Sequence, residues 1–197
     1  MFPLGTVLVP GARMPLHVFE PRYRALADHC MRGDRAFGVV LIERGSEVGG
    51  RDARFPIGTI ARIEDAAQLP DGRWVLEIVG TERIEVRDWL PEDPYPRAVV
   101  AVLSDPVAGP GAARLRDGVE ARIKQVIDLI ADMRGIHGAP TIGLDEHPRT
   151  AAYQAMALPL VGDLDTYRLL CMATVEERLA RLMGILDDEI ELLQARA

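Results

Sequence analysis

The residue types that support catalysis are scarce in this sequence. It contains two serines, Ser46 and Ser104, one lysine, Lys124, and no asparagine. A serine nucleophile needs a neighbouring base, and neither serine lies in a G-x-S-x-G turn. Lys124 falls on the polar side of a predicted amphipathic helix, where a solvated charge is expected. The pattern therefore predicts no catalytic residue.

One glycine-rich stretch has the outline of a phosphate-binding loop. Residues 45–52 read Gly-Ser-Glu-Val-Gly-Gly-Arg-Asp and follow a predicted strand. A phosphate loop needs lysine for the phosphates and serine or threonine for magnesium, but Arg51 and Asp52 occupy those positions. We interpret the stretch as a flexible surface loop and expect no nucleotide or other cofactor.

The histidines and cysteines do not have the spacing of metal ligands. His29 and Cys30 are adjacent on a predicted helix and point about 100° apart. His137 and His147 lie in loops without the helical spacing of paired ligands. We predict no metal site. His17 lies in an apolar run, which favours a partly buried, hydrogen-bonded side chain.

Composition describes a globular chain. Its 197 residues are 48% hydrophobic and 27% charged, with a net charge of -7. Without a basic block, this acidic balance argues against nucleic acid or an anionic membrane as the main partner. The start of the chain lacks the features of a signal peptide, and its longest uncharged run is too short to span a bilayer. We therefore expect a cytoplasmic protein in which Cys30 and Cys171 are reduced and buried.

The first half of the chain carries strand patterns. A Pro-Asp-Gly turn at residues 69–72 predicts a hairpin. A helix is predicted from Pro21 to Met31, with Tyr23, Leu26, Ala27 and Cys30 on its buried face. Short β-branched runs predict six strands: Gly5 to Val9, Phe37 to Arg44, Gly58 to Ile63, Arg73 to Gly80, Glu82 to Leu90 and Arg97 to Ser104.

The second half is helical and follows a predicted linker at residues 105–111, which holds two prolines and two glycines. A capping box at Thr174 and Glu177 predicts the start of the last helix. The acidic cluster at residues 187–191 is interpreted as a solvated face paired with Arg178 and Arg181. Apolar spacing predicts three earlier helices: Arg114 to Arg134, Pro148 to before Pro159, and Asp165 to Met172.

The N-terminal residues are specific enough to indicate a family. Residues 2–11 read FPLGTVLVPG and residues 14–23 read MPLHVFEPRY. Together with the stretches at 37–41, 58–63, 69–73 and 79–83 and the Glu-Arg-Leu at 177–179, they resemble the substrate-binding N-terminal domain of Lon-type ATP-dependent proteases. This domain also occurs as a stand-alone protein.

The resemblance implies an α+β fold in two domains. Residues 1–105 would form a PUA-like β pseudo-barrel, mostly antiparallel, with one embedded helix. Residues 106–197 would form a C-terminal helical bundle. Most of the motif residues are expected to serve as scaffold, and an exposed apolar remainder would form the contact surface for clients.

The same resemblance implies a non-catalytic binding module. Full-length Lon proteases add an ATPase and a Ser/Lys peptidase, and neither a phosphate loop nor a dyad is found here. The expected partners are unfolded polypeptide or protein clients and a Lon-type protease, with no nucleic acid and no membrane. Within the motif, we expect Phe19, Glu20, Arg22 and Tyr23 to make the contacts.

Three alternatives remain open. PUA-like folds often bind RNA, although the arginines are spread along the chain and matched locally by acids. A crevice between the halves could bind a small molecule if polar groups converged around His17 or Arg22. An unpaired sheet edge, at residues 97–104 or at another strand, could bind an extended peptide by strand addition.

Overall fold

The computed structural model describes residues 1–44, 53–136, 138 and 140–196. The chain divides into two compact units, Met1–Ser104 and Asp105–Ala197. The glycine-rich loop at 45–52 and His137 lie outside the described residues.

The first unit is built on a mixed six-stranded sheet. The sheet order is β1-β3-β4-β5-β2, and β6 pairs with β5 outside this path. The pairing of β1 with β3 is parallel and the other four are antiparallel. No pairing among the described residues joins β1 to β2, so the sheet is open. The elements are β1 (Phe2–Leu4), β2 (Arg13–Val18), α1 (Pro21–Arg32), β3 (Ala36–Arg44), β4 (Ala53–Gln68), β5 (Trp74–Leu90) and β6 (Arg97–Leu103).

Strand β5 is long enough to hold two different neighbours. Its first part pairs with β2 from Trp74 to Val79, and its second part pairs with β6 from Arg83 to Leu90. The prediction of two separate strands across this stretch was therefore wrong. Gly80 lies between the two parts, where its N–H donates to the Ala12 carbonyl over 2.9 Å and the ladder with β4 shifts register. The glycine marks a close backbone approach inside a strand rather than a strand end.

The predicted strand from Gly5 to Val9 is also wrong. Strand β1 ends at Leu4, and the following residues form a loop that leads to β2, a strand that the sequence patterns did not predict. Leu8 and Val9 are buried, and the Leu8 carbonyl accepts a 2.7 Å hydrogen bond from the Thr59 hydroxyl. Their apolar pattern thus reflects burial of a loop in the core and not strand pairing.

Helix α1 follows its prediction closely. It begins at Pro21 in its first turn and ends at Arg32, one residue beyond the predicted end. All four residues predicted for its buried face are buried. Tyr23 stacks on Phe2 with ring centroids 4.2 Å apart, and the Trp74 indole donates to the Asp28 carboxylate over 3.0 Å. These contacts fix α1 to β1 and to the start of β5.

The hairpin between β4 and β5 is confirmed. Leu69 donates its N–H to the Arg73 carbonyl, and Gly72 donates to the Leu69 carbonyl, each over 2.8 Å. Gly72 has a φ of 82°, a backbone conformation that favours glycine. The turn sets the register in which β5 pairs with β4.

The second unit consists of helices. They are α2 (Ala112–Met133), α3 (Pro148–Met156), α4 (Asp163–Cys171) and α5 (Val175–Gln194). The predicted capping box is present at the start of α5, where the Thr174 hydroxyl accepts from the Glu177 N–H over 3.2 Å. The Glu177 carboxylate accepts from the Thr174 N–H over 3.0 Å. The bond from the Thr174 N–H to the charged carboxylate lowers the pKa of the Glu177 carboxyl.

Arg178 on α5 is buried, contrary to its predicted place on a solvated acidic face. Its guanidinium donates to the Asp105 carboxylate over 2.6 Å and to the Met172 carbonyl over 2.8 Å. The Tyr153 hydroxyl donates to the other Asp105 oxygen over 2.6 Å. A charge that is fully removed from water needs such partners, and Asp105 supplies the opposite charge.

The linker predicted at residues 105–111 is attached to the helices. Asp105 is held by Arg178, and the Gly109 N–H donates to the Glu176 carboxylate. The acidic cluster near the end of α5 has a different partner from the predicted one, because Asp187 accepts from Arg122 of α2 over 2.7 Å. Both corrections arise from contacts between residues that are distant in sequence.

The two cysteines lie in different environments. Cys30 is buried, as predicted, and its thiol contacts the Ala36 carbonyl at 3.2 Å. Burial raises the pKa of the Cys30 thiol. Cys171 is exposed, so the prediction of a buried thiol at this position was wrong. Within the described ranges, no helix combines the length and apolarity required to cross a bilayer.

Candidate functional site

An apolar groove on the first unit is the candidate site. Its volume is about 290 Å³, near the lower end of the range for small-molecule pockets. Strand β1 forms one wall, strand β2 forms another, and the start of α1 completes the lining. The residues that line it are Phe2, Leu4, Leu16, His17, Val18, Phe19, Glu20 and Tyr23.

Phe19 is the exposed aromatic residue of the groove. It stands between the end of β2 and the start of α1, and 52% of its surface is accessible. Phe19 and His17 also line a smaller cavity of about 70 Å³, together with Leu69, Arg73 and Trp74. The Phe19 ring therefore stands between two depressions and can contact a molecule bound in either one.

Tyr23 lies in the same groove but is buried. Only 3% of its surface is accessible, and its ring is stacked on Phe2. An aromatic pair of this geometry is worth about 0.5–1.5 kcal/mol beyond the area that it buries. The structure thus gives Tyr23, one of the four predicted contact residues, a clear role in packing α1.

Glu20 and Arg22 form an ion pair at the mouth of the groove. The Arg22 Nε lies 3.2 Å from a Glu20 carboxylate oxygen, and the guanidinium lies 4.4 Å from the centre of the Tyr23 ring. The side chains of Glu20 and Arg22 are each 17% exposed. Arg22 is therefore held in place by an acid and a ring, and the groove presents little net charge to a ligand.

The ion pair continues into a network away from the groove. The Arg22 guanidinium lies 3.8 Å from Glu92, and Glu92 accepts from Arg54 over 2.7 Å. The Arg54 guanidinium lies 4.6 Å from the centre of the Trp89 ring. This chain of contacts connects the entry to α1 with the second part of β5.

The α-amino group of Met1 lies beside this network. It donates to the Pro96 carbonyl over 2.7 Å. The pKa of this amine is lowered to about 6, chiefly by burial; Cys30 and Glu92 act to raise it and Arg54 to lower it. The first unit therefore holds an amine that is largely uncharged at neutral pH.

His17 is exposed, and this contradicts its predicted partial burial. Strand β2 places its side chain at the rim of the groove, next to Phe19. The prediction for His17 rested on the apolar run around it and did not use the alternation of a strand. The alternation of buried Leu16 and Val18 with exposed His17 was the available signal.

The residues considered for catalysis or metal binding lie at different places in the two units, and Ser46 lies outside the described residues. Ser104 ends the first unit, and Lys124 is exposed on α2 of the second unit. His29 is exposed on α1, where its Nδ1 lies 2.7 Å from the Tyr95 hydroxyl. Among the described residues, no group of three or more His, Cys, Asp or Glu side chains could hold a metal ion.

The fold is that of Lon N-terminal domains. A Lon N-terminal domain protein from Xanthomonas campestris has a TM-score of 0.64 and 28% identity, covering 93% of this chain and 95% of that chain. The N-terminal domain of Mycobacterium avium complex Lon protease has a TM-score of 0.67 at 16% identity, covering 94% and 95%, which shows likeness of fold alone.

Sequence comparison agrees at the level of the family. A family model for the ATP-dependent protease La (LON) substrate-binding domain matches residues 1–188, and the chain belongs to this family. Lon protease 2 of Herpetosiphon aurantiacus is 30% identical over 194 residues, which are 97% of this chain and 24% of that protein. A Lon protease of Roseiflexus castenholzii is 28% identical over 96% of this chain and 24% of that protein. The chain spans about a quarter of the length of these relatives.

Proposed function

We propose that this chain is a non-catalytic module that binds extended apolar segments of polypeptide in the β1–β2 groove. The single observation that carries the proposal is the half-exposed Phe19 ring at an apolar groove, in a domain of a substrate-binding family. Exposed aromatic side chains beside an apolar depression are typical of binding surfaces.

The charge of the groove supports a polypeptide ligand over RNA. The charged pair in the groove is neutralised internally, since Glu20 is bonded to Arg22. Binding of RNA relies on arginine or lysine contacts to phosphates, and the whole chain carries a net charge of -7. An unfolded segment with apolar side chains has the chemistry that the Phe19 and Leu16 surfaces accept.

The wider setting follows from the relatives. The relatives from Herpetosiphon aurantiacus and Roseiflexus castenholzii are named Lon proteases and are about four times as long as this chain. We place the chain in the cytoplasm, acting with a Lon-type protease to which it presents or withholds clients. The β unit would be a PUA-like pseudo-barrel, and the second unit would be a helical bundle.

Titration with an unfolded polypeptide tests this function. The probe is a fluorescently labelled, reduced and carboxymethylated model protein, and the reading is fluorescence anisotropy. Phe19→Ala should weaken binding about fivefold, since burying the exposed part of the ring contributes about 1 kcal/mol. Leu164→Ala removes an apolar side chain of similar exposure in the second unit and should change nothing. Absence of binding by the unaltered chain at high micromolar concentration would refute the function.

A further inference from the structure

The groove runs along the outer edge of β2. Three consecutive residues of this strand, Leu16, His17 and Val18, line it. Consecutive side chains of a strand point to opposite faces of the sheet, so a pocket on one face would be lined by alternate residues only. The opposite wall holds Phe2 and Leu4 of β1, which is the other terminal strand of the sheet order. The groove therefore lies where the open sheet lacks a pairing.

Pro15 determines which backbone groups of β2 face the groove. It stands opposite Glu77 in the antiparallel pairing with β5. Because proline has no N–H, it fits an edge strand where its nitrogen points away from the neighbour. Antiparallel strands alternate between residues that bond to the neighbour and residues that point outward. The register from Arg13 to Val18 shows no shift, so His17 also directs its backbone outward.

The backbone of His17 thus offers one N–H and one carbonyl at the groove. Among the described residues, neither group makes a backbone hydrogen bond outside the sheet, and β5 is the sole strand that pairs with β2. Pro15, two residues before His17 in β2, adds a second carbonyl that points outward. An outward donor and acceptor pair on an edge strand is a template for a further strand.

We propose that an extended apolar segment of a polypeptide client adds as a strand to the outer edge of β2. One client residue exchanges two hydrogen bonds with His17, and the client backbone donates a third to the Pro15 carbonyl. Client side chains enter the groove between Leu16 and Phe2. This inference rests on the proposed function and specifies how the same site binds its ligand.

The arrangement explains how one site could accept many sequences. Main-chain hydrogen bonds are common to every polypeptide, and pockets for alternate side chains add selectivity. Here the pocket is apolar, so selection would favour segments that folded proteins bury. Strand β6 is the longest of the terminal strands, with exposed Val99 and Val102, and it serves as the internal comparison.

The first test removes the His17 donor without removing the strand. His17→Pro deletes the outward N–H, and the neighbouring Pro15 shows that this edge accepts proline. His17→Thr is the matched control, since it removes the imidazole and keeps the N–H. The probe is a short fluorescein-labelled peptide of alternating valine and threonine with lysine at both ends. We expect the affinity of His17→Pro for the peptide to be lower than that of His17→Thr by about tenfold or more.

The second test leaves the protein unaltered. Two versions of the peptide carry N-methyl groups, one on the odd residues and the other on the even residues. Strand addition uses the N–H groups of one series only, so one version should lose binding and the other should keep it. Hydrogen exchange should show slower exchange at the His17 amide and no change in β6.

The outcomes separate the two proposals. If the peptide binds and both N-methylated versions bind equally well or equally poorly, strand addition on β2 is wrong while groove binding stands. Protection of β6 in place of β2 would also overturn it. If neither the valine-threonine peptide nor the unfolded protein binds, both the strand addition and the proposed function are refuted.

Discussion

The two units differ in which groups they expose to solvent and which they bury: the first exposes an apolar ring, and the second buries a charge. The first unit leaves the Phe19 ring half exposed and leaves the β2 edge unpaired beside a groove. The second unit removes the charged Arg178 from water entirely and bonds its guanidinium to Asp105 and two carbonyls, while Nη1 has no hydrogen-bond partner among the described residues. An apolar group on the surface contributes to binding, whereas a buried ion pair contributes to the definition of one structure. We therefore expect substitutions in the first unit to affect ligands and those in the second to affect folding.

The two units can be followed separately in solution. Both tryptophans, Trp74 and Trp89, lie in β5, so their fluorescence reports on the first unit. Circular dichroism near 222 nm is dominated by helix, and four of the five helices described belong to the second unit. Unfolding in urea, followed by both signals, therefore compares the stability of the first unit with that of the second.

The largest effect is expected from Arg178→Ala. Removing the guanidinium breaks the buried ion pair with Asp105 and should lower the free energy of unfolding of the second unit by about 3–5 kcal/mol. The midpoint in urea should shift for circular dichroism more than for tryptophan fluorescence. Arg181→Ala is the matched control, because Arg181 is exposed and 3.9 Å from Asp165, and a change within about 0.5 kcal/mol is expected. Equal shifts for the two variants would show that the buried pair does not hold the second unit together.

The next largest effect is a pH dependence of the first unit. The pKa of the Met1 amine is about 6 in the folded chain and 8.0 as the ordinary value. The unfolded state therefore binds more protons between these values, and the free energy of unfolding should rise with pH across that window, by about 1–3 kcal/mol. Tryptophan fluorescence in urea at several pH values measures the change. A stability of the first unit that is constant or falls over this window would contradict the buried, uncharged amine.

A smaller effect is expected from the capping box of α5. Thr174→Ala removes the hydroxyl that accepts from Glu177 and should destabilise the second unit by about 1 kcal/mol. Thr174→Ser keeps the oxygen and should recover most of that loss. Both changes are measured from the circular dichroism transition. An alanine variant as stable as the serine variant would show that the cap does not stabilise the second unit.

The smallest effect on stability is expected at the groove. Phe19→Ser alters a ring that is 52% exposed, and the loss of its buried half should lower the free energy of unfolding of the first unit by no more than about 1 kcal/mol. The same variant should weaken polypeptide binding about fivefold or more, as Phe19→Ala does, which makes it the clearest contrast with Arg178→Ala. A large loss of stability in the tryptophan signal would mean that Phe19 belongs to the core and not to a contact surface.

Local signals predicted the elements that depend on neighbouring residues. The bounds and buried face of α1, the turn at Gly72 and the cap at Thr174 all matched, because each is decided within a few residues. The resemblance of the N-terminal motif also identified the family correctly.

Predictions that depend on contacts between distant residues were wrong. Leu8 and Val9 have a strand-like pattern but fill the core from a loop, and the β-branched pattern did not predict the strand with Pro15. Arg178 was interpreted as a surface charge because its partner, Asp105, is far away in sequence. The exposure of His17 and Cys171 likewise depends on which neighbours cover each residue in the fold.

The sequence by itself determined the family, the position of the helices and the scarcity of catalytic groups, since these follow from local propensity, periodicity and composition. Only the tertiary structure decided that the sheet stays open between β1 and β2, that a groove lies in this gap, and that Arg178 is buried. The physical reason is the range of the interactions. Strand pairing and burial join residues many positions apart, and no local pattern in the chain encodes which partner each one meets.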